Sequence, residues 1–207
     1  MSKTLELIFD FVSPNAYLVW RPLREIVARQ GADLRITPVF LGGMHKLTGN
    51  APPFIRDAEV KGKNAYASLE MQRFIKKHGL NRFRMNPKFP FNPVTLLRML
   101  VSLEGEDQIR FIEALNPAIW ERELDVADAE AVAAVLTEAG FDAEALSART
   151  QDPAIKQALI DNTERAVERG TFGIPTFYIG DEMFFGKERL GQIEEMLADS
   201  GSNRDLF

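Results

Sequence analysis

The chain has 207 residues, with a hydrophobic fraction of 45%, a charged fraction of 27% and a formal net charge of -5. This length allows one large domain or a small domain with an insertion, and the negative charge disfavours nucleic acid as a partner. The sequence has neither an apolar run of the roughly 20 residues that a membrane span needs nor a secretory signal, so we expect no membrane partner and a cytoplasmic location.

The sequence contains no cysteine. Protein disulfides, thiolate nucleophiles, zinc-thiolate sites and redox dithiols are therefore excluded, and any thiol chemistry requires a thiol from another molecule. The two histidines, His45 and His78, are not spaced for a metal site, and we interpret them as loop and helix-end residues. No phosphate-binding glycine motif is present, so the sequence predicts neither a metal nor a nucleotide cofactor.

The first predicted elements form a β-α-β unit. Residues 4–11 alternate polar and apolar side chains and predict a strand. Ser13 and Pro14 then match the N-cap and the first position of a helix, which Gly31 ends. Apolar side chains within residues 34–40 indicate a second strand, and a right-handed crossover places it parallel to the first.

The middle of the chain lacks a strand pattern. Residues 41–53 are rich in Gly, Pro and Asn, which predicts a loop. Roughly residues 54–168 predict helices, among them one that follows Asp128 and one that follows Asp152. Strand signals return in residues 176–185, where a Gly-Asp turn predicts a hairpin before a final amphipathic helix.

This order of elements predicts an α/β fold of thioredoxin-like topology that is interrupted by an all-helical insertion. We therefore expect a thioredoxin-like domain formed by residues 1–53 and 169–207. The helical insertion domain comprises residues 54–168. The tail from residue 200 shows no regular pattern, and we expect it to be loose.

Three separated segments carry a more specific pattern: FDFVSPNAY at residues 9–17, KLTGNAPP at 46–53 and FGIPTFYIGDEMFFGKERL at 172–190. Together they resemble the kappa-class glutathione transferases and the related bacterial 2-hydroxychromene-2-carboxylate isomerases. The resemblance covers nearly the whole chain and implies the DsbA-like thioredoxin fold of that group. Oxidoreductases of this fold have a Cys-x-x-Cys pair where this chain has SPNA at residues 13–16.

Ser13 is the candidate catalytic residue and a candidate glutathione ligand. A helix N-terminus has free N–H groups and the positive end of the helix dipole, so it favours an anion such as a thiolate. A serine hydroxyl at this position can donate a hydrogen bond to the sulfur of bound glutathione and favour thiolate over thiol. The Ser-Pro pair alone would indicate only an N-cap, whereas the resemblance favours the catalytic role.

The resemblance implies further glutathione ligands. It implies a cis peptide bond between Ile174 and Pro175, whose exposed backbone pairs with the cysteinyl part of glutathione; the alternative is a proline that only begins an edge strand. The polar and charged residues that the resemblance assigns to the two ends of glutathione are Lys46, Asn50, Lys187 and Glu188. For these four, the alternative is an ordinary solvated surface.

Aromatic side chains of the helical segment are candidates to stack a planar substrate, namely Phe89, Phe91 and Trp120. At helical spacing such side chains also pack in a core, and this alternative applies above all to Trp120. The resemblance implies a small aromatic substrate and a homodimer.

The resemblance implies glutathione-dependent isomerisation, with glutathione as a cofactor, in the breakdown of aromatic hydrocarbons. The thiolate adds to a hydroxychromene carboxylate, the ring opens, a former double bond rotates and the thiolate leaves unchanged. One alternative is kappa-type conjugation, in which the adduct is the product. Another is a cysteine-free thioredoxin-fold protein that binds a peptide or a partner protein in the groove beside Pro175.

Overall fold

Four strands form one mixed sheet in the computed structural model, which describes residues 3–199; the predicted loose tail lies outside these residues. The strand order is β2-β1-β3-β4, with bounds Thr4–Phe9 for β1, Asp33–Pro38 for β2, Thr176–Ile179 for β3 and Glu182–Phe185 for β4. Strand β1 is parallel to β2 and antiparallel to β3, and β3 is antiparallel to β4. This confirms the predicted α/β fold.

Ten α-helices lie within the described part of the chain. They are α1 (Pro14–Gln30), α2 (Leu41–Thr48), α3 (Pro53–Arg56), α4 (Lys63–Lys77), α5 (Val94–Val101), α6 (Gly105–Trp120), α7 (Ala129–Glu138), α8 (Ala143–Arg149), α9 (Pro153–Glu168) and α10 (Leu190–Ala198). A 3-10 turn, Lys187–Arg189, leads directly into α10.

Helix α1 begins and ends where the sequence predicts. Ser13 is the N-cap, its side chain accepts a hydrogen bond from the Ala16 N–H, and Pro14 occupies the first turn. Gly31 ends the helix with a φ of 60°, which a glycine adopts without steric cost. Nine side chains of this 17-residue helix are buried, so packing holds it firmly against the rest of the fold.

The loop predicted for residues 41–53 is wrong in its first part, because residues Leu41–Thr48 form helix α2. Gly42 and Gly43 pack closely against Phe40. A Cβ atom on Gly42 would lie 2.8 Å from the Phe40 ring, and one on Gly43 would lie 3.1 Å from it. His45, predicted as a loop residue, therefore lies in a helix.

Helices α3 to α9 occupy residues 53–168, and this segment contains no strand. Asp128 and Asp152 cap α7 and α9 as predicted: the Asp128 carboxylate accepts two backbone N–H groups and the Asp152 carboxylate accepts one. Helix α9 packs against α2 and β2, and α6 packs against α1 and β2. One hydrophobic core thus extends across both parts of the chain, and the division into two domains stays a prediction.

Trp120 joins the helical segment to the sheet. It is the last residue of α6, it has no exposed surface, and its Nε1–H donates to the Phe11 carbonyl at 3.2 Å. Phe11 follows β1 and lies two residues before Ser13. The Trp120 contact therefore positions the turn from which α1 begins.

We expect Trp120→Phe to destabilise the fold, because it leaves the Phe11 carbonyl buried without this donor. Trp20→Phe is the matched control, since Trp20 is also buried but its indole N–H has no hydrogen-bond partner among residues 3–199. Urea denaturation should show that Trp120→Phe lowers the free energy of unfolding by about 1–3 kcal/mol more than Trp20→Phe does. Equal losses would show that the hydrogen bond does not hold this turn.

Candidate functional site

Ser13 lies where the N-terminus of α1 meets the segment that precedes β3. Its side chain is nearly buried, with 5% of the residue exposed. Its Oγ accepts a hydrogen bond from the Ala16 N–H at 3.3 Å and donates one to the Ile174 carbonyl at 3.2 Å. The hydroxyl hydrogen therefore has a partner in this structure, and a bound thiolate would have to compete with the Ile174 carbonyl for it.

The peptide bond between Ile174 and Pro175 is cis, as the family resemblance implies. The Pro175 carbonyl accepts a hydrogen bond from the Gly186 N–H at 3.0 Å, and Thr176 Oγ1 donates to the Gly173 carbonyl at 2.7 Å. These two bonds hold the backbone on both sides of Ile174. The Ile174 backbone thus faces the N-terminus of α1 through the Ser13 hydrogen bond.

Asn15 was not singled out by the sequence analysis. It is the second residue of α1, and its Oδ1 is buried without a hydrogen-bond partner in the described structure. Pro14 has no N–H, and the Ala16 and Tyr17 N–H groups bond to Ser13. The start of α1 therefore presents a buried amide oxygen as well as a hydroxyl. In the sequence, only its position directly after the Ser-Pro pair marks it.

Asn50 and Lys46 belong to the α2 region and differ in their surroundings. Asn50 Nδ2 donates to the Phe172 carbonyl at 2.8 Å, and its Oδ1 accepts from the Ala51 N–H at 2.9 Å. It thus connects the end of α2 to the segment that contains Ile174. Lys46 lies in the last turn of α2, is exposed and makes no ion pair within residues 3–199.

Lys187 and Glu188 form an ion pair with each other in the 3-10 turn before α10. Lys187 is buried, and its Nζ lies 5.8 Å from the centre of the Phe74 ring of α4. The Glu188 side chain is half-exposed. The pair presents one cation and one anion side by side, which is the charge pattern complementary to an amino acid head group.

The aromatic candidates form one connected cluster. Phe89 and Phe91 each lie about 6 Å from Trp120, with centroid distances of 6.1 Å and 5.8 Å, and Phe54 contacts Phe89 at 5.9 Å. Phe89 and Phe91 are partly exposed, and Phe54 is 45% exposed. Trp120, in contrast, is entirely buried as a core residue, so its ring has no face open to a planar substrate.

Asp10 is a second residue that the sequence analysis did not single out. Its carboxylate is completely buried, Oδ1 accepts from the Val12 N–H at 3.0 Å, and Oδ2 accepts from the Leu41 N–H at 2.8 Å. It therefore joins the turn before Ser13 to the first residue of α2. Burial raises the pKa of Asp10 to about 7, and the two N–H groups oppose this rise.

Two features are absent from the described residues, namely a metal-binding cluster and a membrane-spanning helix. Within residues 3–199 no group of three or more His, Asp or Glu side chains is arranged to hold a metal ion. No helix in the same range is long and apolar enough to cross a membrane.

Comparison with known proteins gives a consistent result. Residues 4–198 match the family of DSBA-like thioredoxin domains. A 2-hydroxychromene-2-carboxylate isomerase from Sphingobium xenophagum is 29% identical over 202 residues, which cover 96% of this chain and 100% of the relative. Glutathione S-transferase kappa 1 from Homo sapiens is 23% identical over 222 residues, which cover 96% and 92% of the two chains. A solved structure of a 2-hydroxychromene-2-carboxylate isomerase has a TM-score of 0.80 at 26% identity and covers 94% of each chain.

The buried Asp10 carboxylate predicts a pH-dependent stability. Its pKa in the folded state, about 7, lies above the model-compound value of 3.8, so the folded protein binds this proton more tightly than the unfolded chain does. The resulting stabilisation is complete at low pH and is lost as the pH rises through about 7. Between about pH 5 and pH 8 we expect it to fall by about 2–3 kcal/mol.

Urea denaturation of the wild type and of Asp10→Asn at several pH values measures the contribution of Asp10 to the free energy of unfolding. The asparagine does not titrate, so the wild type should lose stability relative to the variant as the pH rises. Both proteins keep His45 and His78, whose lowered pKa values act in the opposite direction and cancel in the comparison. Asp128→Asn is the matched control, because Asp128 also accepts two N–H groups but is exposed. If the difference in the free energy of unfolding between the wild type and Asp10→Asn stays constant with pH, the raised pKa of Asp10 is contradicted.

Proposed function

Since the chain belongs to the family of DSBA-like thioredoxin domains, we propose that it is a glutathione-dependent isomerase of the 2-hydroxychromene-2-carboxylate isomerase type. It is an enzyme, as are its relatives, which are named as isomerases and glutathione transferases. The chain itself has no cysteine, so the thiol has to come from glutathione. We also propose a homodimer and a cytoplasmic location, which are the expectations from the sequence and its family resemblance.

The observation that carries the proposal is the position of Ser13. Its hydroxyl lies at the N-terminus of a 17-residue helix and contacts the Ile174 carbonyl, next to a cis proline. The positive end of the helix dipole stabilises an anion there, and a hydroxyl that rotates toward a sulfur stabilises a thiolate further. In a site as enclosed as this one, both effects are larger than at an exposed helix end.

The surrounding residues suit the functional groups of glutathione. The backbone of Ile174 offers peptide groups to the cysteinyl part, and the unpartnered Oδ1 of Asn15 offers an acceptor to one of its N–H groups. The Lys187 and Glu188 pair complements the γ-glutamyl end, which carries a carboxylate and an ammonium group. We assign the glycyl end to Lys46, which is exposed on α2 just before Asn50.

Bound glutathione would supply a thiolate that adds reversibly to an electrophilic carbon of an aromatic-derived substrate. The protein's part is to hold that sulfur at Ser13 and to exclude water from it. Phe91, with Phe89 and Phe54, supplies an apolar wall for an aromatic ring, whereas Trp120 supports this wall from the core. Trp120 thus contributes to the substrate site through Phe91 and not by direct stacking in this structure.

Kappa-type conjugation is the second candidate, because a kappa transferase is also similar over nearly the whole chain. It requires the same thiolate at Ser13 and differs only in the fate of the adduct. A protein that merely binds a peptide beside Pro175 would not need the Ser13 hydroxyl.

The thiolate assignment predicts a Ser13-dependent ultraviolet signal. Difference absorbance on adding glutathione near neutral pH should reveal thiolate in the wild type. Ser13→Ala should lose most of this signal and reduce turnover by about tenfold to a hundredfold, because a hydrogen bond to a charged group is removed. Ser102→Ala is the matched control, since Ser102 is also buried and donates to the Met99 carbonyl in α5. An equal thiolate signal from Ser13→Ala and wild type would refute the role of Ser13.

The fate of glutathione separates the two enzyme functions. With a hydroxychromene carboxylate as substrate, an isomerase should interconvert it with the open benzylidene-pyruvate form while the concentration of free thiol stays constant. Thiol titration during turnover measures this directly. Loss of one thiol per molecule of substrate consumed would overturn the isomerase proposal in favour of conjugation.

A further inference from the structure

Three carboxylate side chains are buried in the described part of the chain, and Asp10 differs from the other two. Glu6 and Asp57 each pair with an arginine, at 2.7 Å and 2.9 Å. Asp10 has no exposed surface, and it makes no ion pair within residues 3–199. A buried charge costs free energy and normally has a cationic partner, so the position of Asp10 requires another explanation.

The two oxygens of Asp10 bind two different segments of the chain. Oδ1 accepts from the N–H of Val12, the residue directly before Ser13, and Oδ2 accepts from the N–H of Leu41, the first residue of α2. Ser13 is the residue assigned to the sulfur of glutathione, and α2 carries Lys46, which is assigned to the glycyl end. One carboxylate thus holds the two elements that bind different parts of the same ligand.

Helix α2 depends on contacts from outside itself. Its N-cap, Phe40, provides no side-chain hydrogen bond, and Met44 is the one buried residue among the eight of this helix. Its two adjacent glycines lower its intrinsic helix stability further. The Leu41 N–H is bound by Asp10 and the Phe40 N–H by Thr163 Oγ1, at 2.8 Å and 3.0 Å. The Asp10 carboxylate also places a negative charge at the positive end of the α2 dipole.

Protonation of Asp10 weakens these contacts. The proton has to occupy one of the two oxygens, and each of them already accepts an N–H group. The protonated oxygen is a poorer acceptor, and the neutral group loses its interaction with the dipole of α2. Because burial raises the pKa of Asp10 to about 7, both effects arise near neutral pH.

Other charged groups contribute little at the position of Asp10. Burial raises its pKa, the two backbone N–H groups lower it, and no charged side chain adds to the shift. Strand β1 carries one charged residue, Glu6, which has an arginine partner, and the first turn of α1 carries none. In α2, His45 and Lys46 lie in the last turn, and the contact from α9 is the uncharged Thr163. Asp10 is therefore the group that changes the charge at the start of α2.

On the basis of the proposed glutathione binding, we propose that Asp10 is a positioning residue whose charged carboxylate holds α2 and the turn before Ser13 in the arrangement that binds glutathione. The charged form binds the ligand more tightly than the neutral form, so the affinity rises as Asp10 loses its proton. The carboxylate acts through these two elements, because it is completely buried. Its role in binding explains why the fold keeps a charge that costs stability.

S-methylglutathione is a suitable probe, because its sulfur cannot ionise and its binding reports on positioning alone. We expect the wild type to bind it about threefold to tenfold more tightly than Asp10→Asn at about pH 8. The asparagine has one acceptor oxygen, and its NH₂ group cannot accept the second N–H. At about pH 5.5 the two affinities should be equal, because Asp10 is then protonated. Calorimetric titration over this pH range measures the ratio.

Asp142→Asn is the matched control, because Asp142 also accepts a backbone N–H but lies exposed at the start of α8. It should bind the probe as the wild type does at every pH. Protonation of His45 and of the ligand is common to the wild type and Asp10→Asn and cancels in their ratio. If Asp10→Asn does not fold, His45→Gln provides a second test. This variant lacks the histidine of α2 but keeps Asp10, so its affinity should rise at least about threefold between about pH 5.5 and pH 8.

The outcomes separate this proposal from the glutathione proposal. A ratio of the wild-type and Asp10→Asn affinities that does not change with pH would show that Asp10 is merely structural and overturn the positioning role. A flat pH profile of His45→Gln would overturn it as well. In both cases, binding of the probe to the wild type leaves the glutathione proposal intact. If the wild type does not bind the probe at any pH, both proposals fail.

Discussion

The hydrogen bond from the Ser13 hydroxyl to the Ile174 carbonyl joins two parts of the chain that are 161 residues apart. It fixes the start of α1 against the backbone that precedes β3. Ser13 follows β1 and Ile174 precedes β3, and these two strands are neighbours in the sheet. The site therefore depends on the pairing of β1, from the N-terminal part of the chain, with β3, from the C-terminal part. A thiolate held at Ser13 would occupy the junction of these two parts.

Asp10 and Trp120 hold the same turn through separate hydrogen bonds. The Asp10 carboxylate connects it to α2, and the Trp120 indole connects it to the end of α6. Both contacts are made with backbone groups, so they define the path of the chain without a hydrogen bond to the Ser13 side chain. A catalytic hydroxyl benefits from this arrangement, because supporting contacts that limit its motion keep it in the productive geometry.

The sequence predicted the helix ends that are determined by residues close to them in the chain. The caps Ser13, Asp128 and Asp152 and the terminator Gly31 all act within a few residues of their own helix, and the sequence located them. The topology followed from the order of these elements. The cis bond at Pro175 was predicted only through the resemblance to a family, since the proline itself is compatible with either isomer.

Tertiary contacts explain what the sequence did not predict. Helix α2 contains two adjacent glycines, which favour a loop until the Phe40 ring that packs against them is known. The burial of Trp120 and the missing partners of Asn15 and Asn116 depend on residues distant in the sequence. Composition gives no sign of a buried amide without a hydrogen-bond partner, because Asn86 is also buried and both its Nδ2 and its Oδ1 are hydrogen-bonded.

Helix α1 connects the candidate functional site to the end of α6. Its N-terminus carries Ser13, and one turn later Tyr17 donates through its hydroxyl to Glu121, which in turn pairs with Arg82. Burial and the nearby Glu121 raise the pKa of Tyr17, so this phenol stays protonated and keeps its role as a donor. Nine side chains of α1 are buried, so a change in the position of this helix requires repacking of the core around it. The hydrogen bond between Tyr17 and Glu121 therefore supports the same helix that carries the Ser13 hydroxyl at its start.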